Sequence, residues 1–113
     1  MSFFSNVLVA YDGSEQSKEA LERVKQLSQL NADAQVHVIT VWDAPPPSYY
    51  YSIPEKFDYE ALQKPYREEA EAKMKEAQES LAGLGNKVIA SVVQGHPATE
   101  IINYAKENNI DLI

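Results

Sequence analysis

The 113-residue sequence predicts an α/β fold built on a doubly wound, open parallel sheet. Three observations predict it. Short runs of apolar and β-branched residues recur along the chain, and each is too short for a buried helix. Longer stretches between them repeat their apolar residues at helical spacing. The two textures alternate in the order βαβαβαβ, and such alternation implies parallel strands joined by right-handed crossovers.

Asn6-Val7-Leu8-Val9-Ala10-Tyr11 is the first strand, nearly continuous in apolar residues as a strand covered on both faces should be. Asp12-Gly13-Ser14 interrupts it, and a helix follows from Ser14 to about Leu30. Ala20, Leu21, Val24, Leu27 and Leu30 make its apolar stripe, while Lys18, Glu22, Arg23 and Gln26 take the other side. Asp12 or Ser14 is suited to cap it, because a short side-chain oxygen accepts the first free backbone N–H groups. Val36-His37-Val38-Ile39-Thr40-Val41 is the second strand. Residues 43–65 then hold five of the six prolines and four of the seven tyrosines, which reads as a long Pro/Tyr-rich loop within one domain spanning 1–113.

A second helix is expected from Tyr59 or Tyr66 to Leu84, with Ala70, Met74, Ala77, Leu81 and Leu84 inward and Gly83 or Gly85 ending it. Its Glu- and Lys-rich remainder reads as a solvated face with i,i+4 pairs. Lys87-Val88-Ile89-Ala90-Ser91-Val92-Val93 is the third strand. Gly95-His96-Pro97 turns into a third helix, with Pro97 at a first helical position and Ile101, Ile102 and Ala105 inward. Ile110-Asp111-Leu112-Ile113 opens a fourth strand. A doubly wound sheet binds ligands beyond the carboxyl ends of its strands, so the loop at Asp12 is the first candidate site.

Composition narrows the partners. The net charge is −7, without a basic run, so neither nucleic acid nor an anionic membrane surface is an expected partner. The chain has no cysteine, which fits a reducing, cytoplasmic setting. No signal peptide is read at the N-terminus, which lacks a positive n-region.

Several chemistries lack their motifs. With four glycines, at 13, 83, 85 and 95, there is no phosphate-binding P-loop. Gly83-Leu84-Gly85 begins like a dinucleotide fingerprint, but Val88 stands where its third glycine belongs and the segment follows a helix. A response-regulator receiver shares the topology, yet the third strand ends Val92-Val93-Gln94-Gly95 where the receiver needs a phosphorylatable Asp. His37, inside a strand, reads as structural, and His96 as an exposed or capping residue before Pro97. No triad and no metal-ligand spacing is present, so no residue is assigned as catalytic or as a metal ligand. Tyr49-Tyr50-Tyr51 packs either on a partner or a base, or back on its own domain.

Four segments carry a resemblance to a known family. Val7-Leu8-Val9-Ala10-Tyr11-Asp12-Gly13-Ser14 resembles the opening of a universal stress protein: a strand, then Asp-Gly-Ser, then a helix. The segment from Ala34 to Val41 resembles that family's second strand. Gly95-His96-Pro97-Ala98-Thr99-Glu100-Ile101 resembles its Gly-x-Pro-Ala-x-x-Ile turn, and Asn109-Ile110-Asp111-Leu112-Ile113 its Asp-Leu-Ile strand. Each motif is weak alone; four in the family's order are specific. Family members continue into a Gly-x-x-Gly … Gly-Ser phosphate segment and a last strand, so the sequence reads as a C-terminally truncated chain.

The resemblance implies a flavodoxin/Rossmann-like fold of the adenine nucleotide alpha hydrolase type, with strand order 3-2-1-4-(5) and the fifth strand missing. It implies a stress-response protein that binds ATP or AMP, with or without Mg2+, and acts as a sensor or adaptor, not as a fast enzyme. By the same resemblance Ala10, Tyr11, Asp12, Val41 and Gly95 are the nucleotide-binding positions, and the intact protein is a homodimer paired through its last strand. Asp12 suits ribose hydroxyls, since a carboxylate repels phosphate; read from its own residue type it is a cap and turn former. Two other functions stay open: a member that binds no ATP and works through dimerisation and protein contacts, and a weak ATP hydrolase.

Overall fold

A computed structural model describes residues 5–30, 33–43, 59–85 and 87–110. Its elements run β1 (Asn6–Ala10), α1 (Glu15–Gln29), β2 (Gln35–Trp42), α2 (Tyr59–Ser80), β3 (Val88–Gln94) and α3 (Pro97–Glu107). The three strands form one sheet in the order β1-β2-β3, parallel throughout. Ala10 pairs with Ile39 at the end of one ladder and Trp42 with Gln94 at the end of the other. The expected doubly wound arrangement is found, with β2 central among the described strands. Of the expected fourth strand, residues 111–113 lie outside the described residues, and so does most of the Pro/Tyr-rich loop, Tyr49 to Tyr51 included.

Strand alternation divides the core between two faces. Val7 and Val9 from β1, Tyr11 just after it, and Val36 and Val38 from β2 pack with Leu21 and Val24 of α1 and with Met74, Ala77 and Leu81. Leu8, His37 and Ile39 alternate onto the opposite face and are also buried. There His37 meets Tyr104 of α3. Helices on both faces explain why the strands read as near-continuous apolar runs.

Two helical expectations are corrected, and a choice between two helix starts is decided. The buried stripe of α1 is Ser17, Leu21, Val24 and Ser28, whereas Leu27 is 38% exposed and Leu30, the C-cap, 86%. Spacings of four, three and four residues keep this stripe on one side, and two serines occupy places the apolar pattern assigned to leucines. In α3, Ile102 is 52% exposed, and the partly buried side comprises Ile101, Tyr104 and Ala105. Of the two expected starts of the second helix, Tyr59 is the one found, so the stretch 59–65, also counted above in the loop, is helical, with Pro65 inside α2. Proline's fixed φ is itself helical, and the next turns are anchored by buried Ala70 and Met74.

α2 stops at Ser80, short of Leu84. Positive φ among the glycines is confined to Gly13 and Gly95, so neither Gly83 nor Gly85 is a left-handed cap. Tight i→i+3 bonds close the helix instead, from Leu81 N–H to Gln78 C=O and from Ala82 N–H to Glu79 C=O. The solvated face carries the expected i,i+4 pairs: Lys64–Glu68 at 3.8 Å, Arg67–Glu71 at 3.9 Å and Lys73–Glu69 at 3.2 Å. Exposed pairs of this kind contribute only a few tenths of a kcal/mol each, roughly 0.2–0.5, so it is the buried Ala70, Met74, Ala77 and Leu81 that fix this helix on the sheet.

Candidate functional site

The turn after β1 is built by its three residues in sequence. Asp12 Oδ1 accepts the Ser14 N–H at 2.9 Å, closing an Asx-type turn. That turn needs a left-handed residue between them, and Gly13 supplies it at φ +84. Ser14 is then the N-cap of α1: its Oγ accepts the Ser17 N–H at 3.1 Å, and the Ser17 hydroxyl donates back to the Ser14 carbonyl at 2.9 Å. Capping therefore belongs to Ser14 and turn formation to Asp12. Lys73 of α2 lays its stem beside Gly13, 3.6 Å from where a Cβ would stand.

The turn borders a cleft of about 350 Å³ at the carboxyl ends of β1 and β2. Ala10, Tyr11 and Asp12 line it from the end of β1 and the turn after it, and Ile39 and Val41 from β2. Ser14, Gln16, Ser17 and Ala20 come from the start of α1, and Pro97 and Ile101 from the start of α3. Four of the five residues expected at the site, Ala10, Tyr11, Asp12 and Val41, are thus brought together. Gly95 does not line the cleft. Its N–H donates to the Trp42 carbonyl at 2.9 Å and its φ is +152, so it shapes the turn that delivers Pro97 and Ile101. Both of those residues stand in the quoted turn motif, which was the signal that could have placed them.

Asp12 is exposed, and its carboxyl is held below the usual carboxylate range by hydrogen bonds from the Ser14 hydroxyl and the Ser14 N–H. It therefore stands ionised at the cleft. Tyr11 is 4% exposed. Its ring turns away from Asp12 into the α1–α2 face, where its hydroxyl donates to Glu76 Oε1 at 3.3 Å. Burial, then the Glu76 carboxylate, pushes the Tyr11 hydroxyl up, so it stays a donor. Tyr11 thus reaches the cleft through its backbone. His96 is the exposed N-cap of α3 and makes no side-chain capping bond. His37 is a buried strand residue between Tyr104 and Asn6. Among the described residues, no group of three His, Asp or Glu side chains is spaced to hold a metal ion, and no helix is long and apolar enough to cross a membrane.

The chain is 26% identical over 112 residues to a curated universal stress protein of Methanocaldococcus jannaschii, covering 99% of the chain and 64% of that protein. Among solved structures, the protein MJ0577 superposes with a TM-score of 0.76 at 30% identity, covering 97% of this chain and 72% of that one. Two others share the fold and were solved with nucleotides. One is an Arabidopsis thaliana universal stress family protein with AMP bound, at TM-score 0.68 and 15% identity, covering 95% of this chain and 72% of that one. The other is a universal stress protein in complex with cAMP, at TM-score 0.65 and 22% identity, covering 97% of this chain and 70% of that one. With a family model matching residues 4–113 and the Asp12 turn, the Pro97 turn and the parallel sheet all in its order, the chain belongs to the universal stress protein family.

Proposed function

We propose that this is a stress-response protein that binds an adenine nucleotide, ATP or AMP, and acts as a sensor or adaptor. In this reading Asp12 accepts hydrogen bonds from ribose hydroxyls, and Ala10, Tyr11 and Val41 frame the base. The observation that carries it is a carboxylate held ionised beside a largely apolar cleft at the ends of two parallel strands. A carboxylate repels phosphate but suits a hydroxyl donor, so the Asp12 end is the nucleoside end. The AMP and cAMP bound by two neighbours of the same fold support the choice of ligand.

Gly95 enters the reading indirectly, by setting the turn that brings Pro97 and Ile101 to the cleft. Among the described cleft residues Asp12 is the single carboxylate, and its Oδ1 already accepts the Ser14 N–H; a Mg2+ there would be held by Asp12 together with the nucleotide's own phosphates, not by a cage of protein ligands. The reading is therefore of binding, with no step assigned to a metal. A cytoplasmic setting and a homodimer go with it as proposals, supported by the family match and, for the setting, by the absence of cysteine.

Titration calorimetry with AMP and ATP tests the reading on the wild type and on Asp12→Asn. The amide keeps the acceptor that closes the turn and removes the charge. Affinity is expected to fall about tenfold, the scale of a lost charge-assisted hydrogen bond. Equal affinity in the two proteins would leave Asp12 as a turn former and end the ribose role.

A further inference from the structure

We infer that Thr40 is a positioning residue for the cleft: its hydroxyl ends the β1–β2 ladder one rung early and leaves the Val41 backbone N–H available to a bound base. The ligand in this inference rests on the nucleotide reading above; the structural half rests on the ladder alone.

In a parallel sheet, successive residues of a central strand address opposite neighbours. The Gln35 N–H donates to the Ser5 carbonyl beside β1 at 2.8 Å, and the Val36 N–H donates to the Lys87 carbonyl beside β3 at 2.8 Å. At the far end of β2, the Trp42 carbonyl faces β3, where it accepts from Gly95. Odd-numbered residues of β2 therefore face β1, and Val41 is one of them. The rungs climb to the Tyr11 N–H, which donates to the Ile39 carbonyl at 2.9 Å. The next rung in this register is Val41 N–H to the Tyr11 carbonyl. It is not made. Thr40 Oγ1 donates to the Tyr11 carbonyl at 3.0 Å in its place. Among the described residues no acceptor takes the Val41 N–H.

The consequence is chemical. Val41 lines the cleft and is only partly buried. Its N–H and C=O lie on one edge of an extended strand, past the point where β1 stops pairing. A donor beside an acceptor matches a planar base edge that carries a ring nitrogen next to an amino group, as adenine does. Thr40 is 3% exposed, so its hydroxyl has little water to compete for it and stays committed to the Tyr11 carbonyl. The same bond fixes the peptide that leads into Asp12. One buried hydroxyl thus sets both the backbone edge offered to the base and the residue offered to the ribose.

The test compares wild type, Thr40→Val, Thr40→Ala and Thr40→Ser by amide hydrogen exchange and by AMP titration. Val and Ala both remove the hydroxyl with different crowding, so a folding failure of one leaves the other; Ser restores it. In wild type the Val41 amide is expected to exchange quickly. In Thr40→Val and Thr40→Ala it should pair with the freed Tyr11 carbonyl and slow about tenfold or more, while Thr40→Ser keeps the wild-type rate. AMP affinity should fall about tenfold in the first two and stay within about twofold in the third. Unchanged Val41 exchange on loss of the hydroxyl overturns the inference, and so does unchanged AMP affinity in both hydroxyl-free variants. If wild type binds no AMP, the nucleotide reading fails, while the exchange measurement still decides whether Thr40 ends the ladder.

Discussion

The Nδ1 of His37 lies 2.7 Å from the hydroxyl of Tyr104, with the two rings edge to face at 72° and 5.5 Å between centroids. The Nε2 lies 3.2 Å from Asn6 Oδ1, and Asn6 Nδ2 donates to the Asn109 carbonyl at 3.4 Å. Because the Asn6 amide nitrogen is committed to Asn109, its oxygen faces the imidazole, which assigns the proton to Nε2. Nδ1 is then an acceptor, and the Tyr104 hydroxyl donates to it. The chain of contacts ties the middle of α3 and its exit turn to the amino ends of β1 and β2. Tyr104→Phe keeps the ring contact and removes the hydroxyl, leaving Nδ1 without its donor. A loss of about 1 kcal/mol in urea denaturation is expected. No change would mean that ring packing alone holds α3.

The same histidine makes stability depend on pH. Burial, and then the nearby Lys87 ammonium, hold His37 below its ordinary range. The unfolded chain then binds more protons than the folded one between the two pKa values. The contribution of neutral His37 is fully present above about pH 6.5 and is lost as pH falls through the lower folded value. Urea midpoints measured from pH 8 down to pH 5 should decline for wild type more steeply than for His37→Phe. Parallel declines would assign the dependence to other groups. Asp12 works in a lower window with the same sign: its depressed carboxyl contributes above about pH 4 and less as pH falls through its folded value.

Ser28 is fully buried, and among the described residues its Oγ has no hydrogen-bond partner. A buried hydroxyl without a partner costs roughly 1–3 kcal/mol of desolvation. Ser28→Ala removes the hydroxyl and leaves a space smaller than a methyl group. The variant is expected to match or exceed wild-type stability by up to about 1 kcal/mol. A clear loss in thermal or urea unfolding would mean that a water or an unseen acceptor serves this oxygen.

The sheet was legible because β1 and most of β2 are buried on both faces, so that they appear as nearly continuous apolar and β-branched runs. The Asp12 turn was legible because Asp-Gly-Ser combines a side-chain acceptor, the residue that most readily adopts a positive φ, and a helix N-cap in sequence. Helix faces were less so. Leu27 and Leu30 satisfy helical spacing as well as Ser17 and Ser28 do, and only the packed sheet decides that the serines go in. Tyr104 was missed for a similar reason: beside Ile101, Ile102 and Ala105 a tyrosine adds nothing to the apolar pattern, and its role shows only when His37 is found beneath it. Thr40 left no signal at all, since a threonine in a strand is ordinary and its role depends on a carbonyl 29 residues away.

Gly95 and Glu100 test the turn that carries Pro97 and Ile101 to the cleft. Gly95 sits at φ +152, and a Cβ there would stand 2.8 Å from Glu100 Cγ. Gly95→Ala therefore meets two separate costs, a backbone conformation that L residues rarely adopt and a clash with one side chain. Together they should destabilise by about 2 kcal/mol or more. Glu100 lies in the first turn of α3, where a carboxylate is favourable, so Glu100→Ala alone should cost about 0.3–1 kcal/mol. In the double variant the clash is gone and the backbone cost remains. The double variant should thus lose less than the sum of the single losses, by an amount equal to the steric share. Unfolding curves for the four proteins measure that difference. Simple additivity would show that Glu100 swings aside freely, and that φ alone reserves position 95 for glycine.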